Sequence, residues 1–545
     1  MDWDVKRIIA KYERLWAEDA NWRSSWQDIA DYVCLKRANI LRVASPGMKQ
    51  TEKLYDSTAI HANELLAASM KQAITPANVK WFSLKVRNEE LQDDEEVQRW
   101  LEFASKKMFI ALYQSNFDSE VHEVDLDLGG FGMGAVFEDE KPKRHPGFNG
   151  LRFHTLAIGE YVIEEDFEGN VNGLIRKFNP TATQAFLRWK NKAGPKIVSA
   201  MEGKGQEKRF PFLHSVLPLE KNPDKFASCY INLDTKEVVE KRIYSEFPYL
   251  VPRWSKTSGE KNGRGPGSTA MPDIKTLNKA VQLELKALAK MINPPWKASD
   301  RGVIGVPQLV PGGGTYVRPN AVFEPLKLDI DLTTSQVKSD QLRASIRRIF
   351  YSDQLQLQDT PTMTAAEAYI RYELMQRILG PTIGRLDREL LNPLIERTFG
   401  IMYRAGAFGE IPSQILSLGA NLDVEYEGEM SKAQRSRELT GLVDVLGVVG
   451  QVAQVDQTIF DWINTDTLIK WLWAIRGVPM ELLNDEKTVK KIRDQRSAAM
   501  GDQEMQERKA IIAEIIKKIT PALEKGLMPE ALQMAAGGEA TSEEA

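Results

Sequence analysis

Between Pro272 and Leu355 the sequence reads helix, hard stop, turn-rich insert, and helix again. Pro272 and Asp273 open a helical pattern that runs to Ile292, and Asn293-Pro294-Pro295-Trp296 ends it, because proline lacks the amide hydrogen and crowds the turn before it. At about 1.5 Å per residue the run is about 30 Å long. Ile274, Leu277, Val281, Leu285 and Leu288 form one apolar stripe. On the opposite side Lys275, Lys279, Lys286 and Lys290 fall within about 60° of one another. Such lysines are either a solvated face or a basic stripe that a passing polyanion touches. After the stop, Val303 to Leu309 and Thr315 to Phe323 are strand-like, joined through Pro311 and Gly312, Gly313 and Gly314. The glycine triplet permits the positive φ of a tight turn. It is not a phosphate cradle, since no helix opening with Lys-Ser or Lys-Thr follows it. The helical period returns from Thr333 to about Leu355 through Val337, Leu342, Ile346, Ile349 and Phe350.

A second long pattern follows. Thr364 and Glu367 have capping-box spacing, and Tyr372, Met375, Leu379, Ile383, Leu386, Leu390 and Leu394 step by three or four. Carried to Ala405 this is a spine of about 63 Å, far beyond an ordinary globular helix. Gly380-Pro381 and Asn392-Pro393 should kink it, and Gly406 can cap it. Ahead of the insert the chain is mixed. Val5 to Val33 reads as a Trp-rich helical hairpin, packed on its own core or presenting a partner-binding face. Ala59 to Ile74 and Asp93 to Gln114 read as helices. From Gly129 to Val251, β-prone runs at 134–137, 152–153, 161–165, 173–178, 228–233 and 238–244 surround a helix near Thr183 to Lys192, with Gly194 to Arg209 as an exposed loop. Ser431 to Val455, Asp466 to Arg476 and Lys487 to Ile519 are helical again, and the last residues form an acidic tail. The fold class is mainly α with a β-rich portion, α+β.

Charge and motif narrow the function. With 72 Lys plus Arg against 76 Asp plus Glu, the net charge of −4 does not suit a protein that wraps duplex nucleic acid with its whole surface, so any such contact is local or transient. One basic segment stands out: Arg253, Lys256, Lys261 and Arg264 lie in a glycine-rich loop with Glu260 as its sole acid. Two cysteines, Cys34 and Cys229, cannot make a four-ligand zinc site and suit a reducing compartment. There is no P-loop, no His-Glu-x-x-His and no Gly-x-Ser-x-Gly, and His61, His122, His145, His154 and His214 lack metal-ligand spacing. Asp56, Asp118, Asp125 and Asp127 are the conceivable metal ligands, but scattered acids are more often solvated. We expect no catalytic residue, no metal and no cofactor. The N-terminus lacks a signal-peptide layout, and the weakly charged run from Gly441 to Val455 is broken by Asp444 and too short to span a bilayer, so no membrane partner is expected.

Four segments carry a family resemblance. They are LYDSTAIHANELLAASM (Leu54 to Met70) with Trp81 beyond it; PRWSKTSGEKNGRGPGSTAMPDIKTLN (Pro252 to Asn278) followed by NPPW; MTAAEAYIRYE (Met363 to Glu373) followed by GPTIGRLDRELLNPLIER (Gly380 to Arg397); and YEGEMSKAQR (Tyr426 to Arg435). In this order they resemble the podovirus head-to-tail connector, or portal, proteins of tailed bacteriophages, to about residue 500. The resemblance implies a portal fold of wing, stem, clip and crown and a twelve-subunit ring around a channel. On it, 1–255 is wing, 256–292 a loop and first stem helix, 293–328 clip, 329–355 second stem helix, 356–363 tunnel loop, 364–430 the long wing helix with the segment after it, 431–520 crown and 521–545 tail. The tunnel-loop residues would be Gln356, Leu357, Gln358, Asp359, Thr360, Pro361 and Thr362. The clip would dock partners through Trp296, Gly312, Gly313, Gly314 and Tyr316. Lys275, Lys279, Lys286 and Lys290 would line the channel or face outward to the shell. The implied partners are copies of the chain, double-stranded DNA held transiently and without regard to sequence, the terminase large subunit, major capsid and scaffolding proteins, and tail adaptors. The implied location is the portal vertex of the virion, after assembly in the host cytoplasm. A terminase subunit and a DNA-binding module are the alternatives.

Overall fold

The structure, a computed structural model, describes residues 3–35, 40–41, 51–77, 80–86, 94–309, 313–326, 332–355, 379–413, 422–425, 442, 445–447, 449, 463–476, 484 and 486–499. The chain divides into two compact units, Met1–Asn78 with Met108–Gly409, and Val79–Lys107 with Glu410–Ala545.

The first unit is built on a five-stranded antiparallel sheet, in the order Tyr161–Glu165, Val171–Phe178, Phe212–Leu219, Asn222–Asn232 and Glu237–Tyr244. Both faces are covered. On one, the helix Val5–Glu18 lays Ile8, Tyr12 and Leu15 on Val162, Ile175, Leu213, Cys229 and Ile231. Its N-terminus is capped by Asp4, whose carboxylate accepts from the amides of Lys6 and Arg7. On the other face, the helices Ala182–Trp189 and Pro195–Glu202 bring Ala185, Trp189 and Ile197 onto Phe212, Tyr230 and Val239. Trp189 stacks on Phe212 with ring centroids 4.7 Å apart. The segment read as an exposed loop after Gly194 thus contains a helix. Its start is Gly194 at φ 114° followed by Pro195, a good first helical residue because its missing amide hydrogen has no intrahelical partner there. A three-stranded sheet orders Leu151–Thr155, Val136–Glu140 and Tyr249–Leu250. Beside it runs Phe117–Phe131, a helix that the acidic sequence disguised.

The helix after the glycine-rich loop is longer than the sequence suggests. It runs Pro266–Ile292, 27 residues, with Gly265 at its N-cap and Pro266 in the first turn. Pro272 therefore lies inside the helix rather than opening it. The second helix of the pair is Leu332–Ile349, followed after Phe350 and Tyr351 by the short turn Ser352–Leu355. Between them stand four strands rather than two, each of two or three residues. Trp296–Ala298 pairs antiparallel with Phe323–Pro325, and Val303–Ile304 with Tyr316–Val317. Residues 379–386 are helical, Asp387–Leu391 form a π-helical turn, and Asn392–Arg404 continue as α-helix. Pro393 explains the π turn, because it cannot donate to the carbonyl four residues back and the ladder must widen around the gap. Gly406, at φ 71°, follows the helix end as expected. The part of the spine before Leu379 lies outside the described residues, as do the tunnel-loop residues 356–362.

In the second unit Ser83–Val86 pairs antiparallel with Leu422–Glu425. Asp94 caps the helix Glu95–Tyr113 through the amides of Glu96 and Val97. Thr465–Arg476 and Glu486–Ala499 are tied by the ion pair of Arg493 with Asp466 at 2.5 Å. The two cysteines are both buried and unbridged.

Candidate functional site

The helix pair changes character along its length. Near its base it is held by a ladder of hydroxyl-to-carboxylate bonds: Ser345 donates to Asp273 at 2.7 Å, and Ser335 and Ser339 both donate to Glu284, at 2.7 and 2.8 Å. Asn278 accepts from the amides of Tyr55 and Asp56, and the Asp56 carboxylate takes the Arg343 guanidinium at 2.9 Å. Here the apolar stripe is covered: Ile274 and Leu277 are 1% exposed. About two to four turns on, the same stripe lies open. Leu285 is 50% exposed, Leu288 39% and Ile292 82%, and Val337 of the second helix is 54% exposed. The terminal strands continue the open surface with Ile304, Val306, Leu309 and Val317. Trp296 is stacked on Phe323 at 4.8 Å yet still 42% exposed, Tyr316 is 79% exposed, and Gly313 and Gly314 are exposed beside it. Gly312 lies outside the described residues.

The four lysines sit on one exposed face of the helix but differ in company. Lys275 pairs with Asp28 at 2.7 Å and Lys279 donates to Gln282 at 3.2 Å, while Lys286 and Lys290 are exposed near the strand end.

The basic glycine-rich loop is spent internally. Arg253 is 1% exposed, and its guanidinium meets Glu389 at 2.6 Å, Glu165, and the carbonyls of Lys261 and Gly169, both at 3.0 Å. Burial works against its charge, but the bonds from Glu389 and Glu165 win and raise its pKa. Lys256 pairs with Glu165, Lys261 with Glu18 and Asp19, and Arg264 with Glu260 while lying over the Trp22 ring. Each cation of this loop has a carboxylate partner, and only Arg264 keeps a half-exposed side chain. Its glycines explain the tight seat. A Cβ on Gly265 would come 2.5 Å from the Leu128 carbonyl oxygen, and those on Gly263 and Gly267 would overlap the carbonyls of Gly132 and Gly130. The loop and the helix end Gly129–Gly132 therefore pack backbone on backbone.

No catalytic arrangement emerges among the described residues. Asp56 is bound to Arg343 and Asp118 to Lys71, Asp125 is buried in its helix, and no group of three or more His, Cys, Asp or Glu could hold a metal ion. His214 is buried between the Tyr249 hydroxyl at 2.5 Å and Ser228 at 2.9 Å, and burial holds its pKa well down. The cleft of about 160 Å³ above it contains Arg152, Arg176 and Arg188, each already paired, with Asp139, Glu160 and Glu240. A second buried acid, Glu138, accepts from Thr398 at 2.7 Å, and burial pushes its pKa up to about 8. Among the described residues no helix is long and apolar enough to cross a membrane.

The segments that carry the family resemblance meet one another: Asp56 and Asn278 join the first to the second, and Arg253 with Glu389 joins the second to the third. Comparison with known proteins agrees. The chain is 28% identical over 513 residues to the "Probable portal protein" of Bordetella phage BPP-1, covering 90% of this chain and 91% of that one. It is 27% identical over 522 residues to the "Portal protein" of Salmonella phage epsilon15, with 91% of each covered. Solved structures matched include the virion of a native gene transfer agent particle, covering 85% of this chain and 98% of that one, and the neck of the native particle computed with C12 symmetry, also 85% and 98%. Their identity to this chain is 11% and their TM-scores are 0.30 and 0.29. The model of the bacteriophage head to tail connecting proteins matches residues 5–483, and the chain belongs to that family.

Proposed function

We propose that this chain is the portal subunit of a tailed phage: copies close into a ring at one capsid vertex, and duplex DNA passes through it. The observation that carries the reading is the apolar stripe of the Pro266–Ile292 helix, covered at Ile274 and Leu277 and bare at Leu285, Leu288 and Ile292. A stripe continuous in sequence and open over half its length needs a neighbour. The terminal strands need one too, since strands of two or three residues are marginal alone. A ring of twelve supplies both, with the helix pair as stem and the strands as clip, where the terminase and later the tail would dock. Residues 1–255 and 364–430 would then form the wing, 356–363 the tunnel loop, and 431–520 the crown. The virion is the place of action, and conduction rather than bond-making is the work.

End-on electron micrographs of the purified protein should show rings with a central hole. The double variant Leu285→Glu, Leu288→Glu should sediment as a monomer with its sheet signal by circular dichroism retained. A native chain that stays monomeric at micromolar concentration would end the proposal.

In such a ring Lys286 and Lys290 become stacked circles of positive charge facing the channel, giving weak phosphate contact that lets DNA slide. Replacing both with Gln should slow packaging into empty heads severalfold while rings still form. Unchanged packaging would assign these lysines to the solvated face instead.

A further inference from the structure

The strands Val136–Glu140 and Leu151–Thr155 are joined by a loop whose first five residues are Lys141, Pro142, Lys143, Arg144 and His145, and residues 141–147 are all exposed. The loop is held in shape by one side chain. Asn149 accepts from the amides of Arg144 and His145, both at 3.0 Å, and donates to the carbonyls of His145 and Gly147 at 3.0 and 2.9 Å. Lys141 closes the neck, its amide donating to the Gly150 carbonyl at 2.8 Å.

The cations here differ from those of the glycine-rich loop. Arg253, Lys256, Lys261 and Arg264 are each consumed by a carboxylate, whereas Lys141, Lys143 and Arg144 make no ion pair among the described residues. Of the three acids just before them, two are engaged elsewhere and only Glu140 lacks a cation of its own among the described residues. Glu138 is buried against Thr398, Asp139 is taken by Arg152 and Arg242, and Glu140 accepts from the Asn149 amide. A fixed run of three cations against the single Glu140 carboxylate is a net positive surface for a polyanion. It carries no exposed Phe, Tyr or Trp to stack on unpaired bases, as Phe148 is half-buried. Lysine and arginine on a rigid loop suit phosphates at regular spacing.

We propose that this hairpin loop is a second contact for the phosphate backbone of duplex DNA, separate from the stem lysines and indifferent to base sequence. The connector reading supplies the identity of the polymer; the charge and the pre-set loop supply the site.

The test is fluorescence anisotropy of a labelled 20-base-pair duplex against the full chain across a range of salt concentrations, beside the variant Lys141→Gln, Lys143→Gln, Arg144→Gln. Three lost phosphate contacts should flatten the slope of log affinity on log salt by about 2.7, and affinity at low salt should fall at least about tenfold. Should the triple variant not fold, each single substitution should flatten the slope by about 0.9. An unchanged slope overturns the proposal. So does loop-dependent binding of polyglutamate with unchanged binding of the duplex, which would make the partner an acidic protein segment. Micrographs of the same preparations report ring formation independently. Rings without loop-dependent duplex binding sink this inference alone, and monomers with it sink the ring alone.

Discussion

Arg253→Ala is expected to destabilise the folded chain by about 3–5 kcal/mol. The size follows from where the charge sits. An exposed ion pair is worth only about 0–1 kcal/mol, because water screens it. Arg253 is 1% exposed and Glu389's side chain 13%, so removing the guanidinium strands a carboxylate in a place with little water. Arg385, at 3.2 Å from Glu389, offers partial relief but no second partner to the Lys261 and Gly169 carbonyls. Glu389→Gln should cost less, since its amide oxygen still accepts from the guanidinium. Urea unfolding of both variants, at one protein concentration, checks the order. A loss under about 1 kcal/mol for Arg253→Ala would mean that water reaches the pair in solution.

Gly132→Ala should be nearly as damaging, for a reason that has nothing to do with charge. Gly132 ends its helix at φ 86°, where an L side chain is strained by about 1–2 kcal/mol. A Cβ there would also overlap the backbone of Arg264 and Gly265, and overpacking against backbone adds about 1–3 kcal/mol because backbone cannot rotate away. The comparison is Gly305→Ala. Gly305 has the similar φ of 82° but open space around it, so only the strain term remains. The two melting temperatures should therefore differ clearly, with Gly132→Ala the lower. Equal shifts would show that the seat between the loop and the helix end is loose.

Periodicity revealed what depended on one face at a time. Tyr161–Glu165 reads directly from Tyr-Val-Ile between two glycine turns, and the two helices flanking the strand insert follow from their stripes. Phe212–Leu219 escaped because it has helices on both faces: its first five residues are all buried, so it shows no alternation, and His214, Ser215 and Pro218 look unlike a strand. Phe117–Phe131 carried its period in Phe117, Val121, Val124, Leu128 and Phe131, but Asp118, Asp125 and Asp127 read as scattered acids and Gly129 as the start of the β-prone region. A Cβ on Gly129 would run into the Asn63 side chain and one on Gly130 into the Cys34 sulfur, so bare backbone here lets the earlier helices close in. Of the site, the lysine face and the strand insert were legible. The fate of the glycine-rich loop was not, because its neutralising acids lie far off in sequence: Glu389 is 136 residues from Arg253, Glu165 is 88, and Glu18 is 243 from Lys261. Lys-Pro-Lys-Arg-His was in plain view, but the acids before it hid its charge until the fold showed two of them engaged elsewhere.

The four strands at the tip of the helix pair have two or three residues each, too few ladder bonds to keep a contour by themselves. In the ring proposed above, an end made this way would serve as a gasket. It would take its outline from whatever is pressed against it, at little cost in energy, where a stiff collar would seat a single shape.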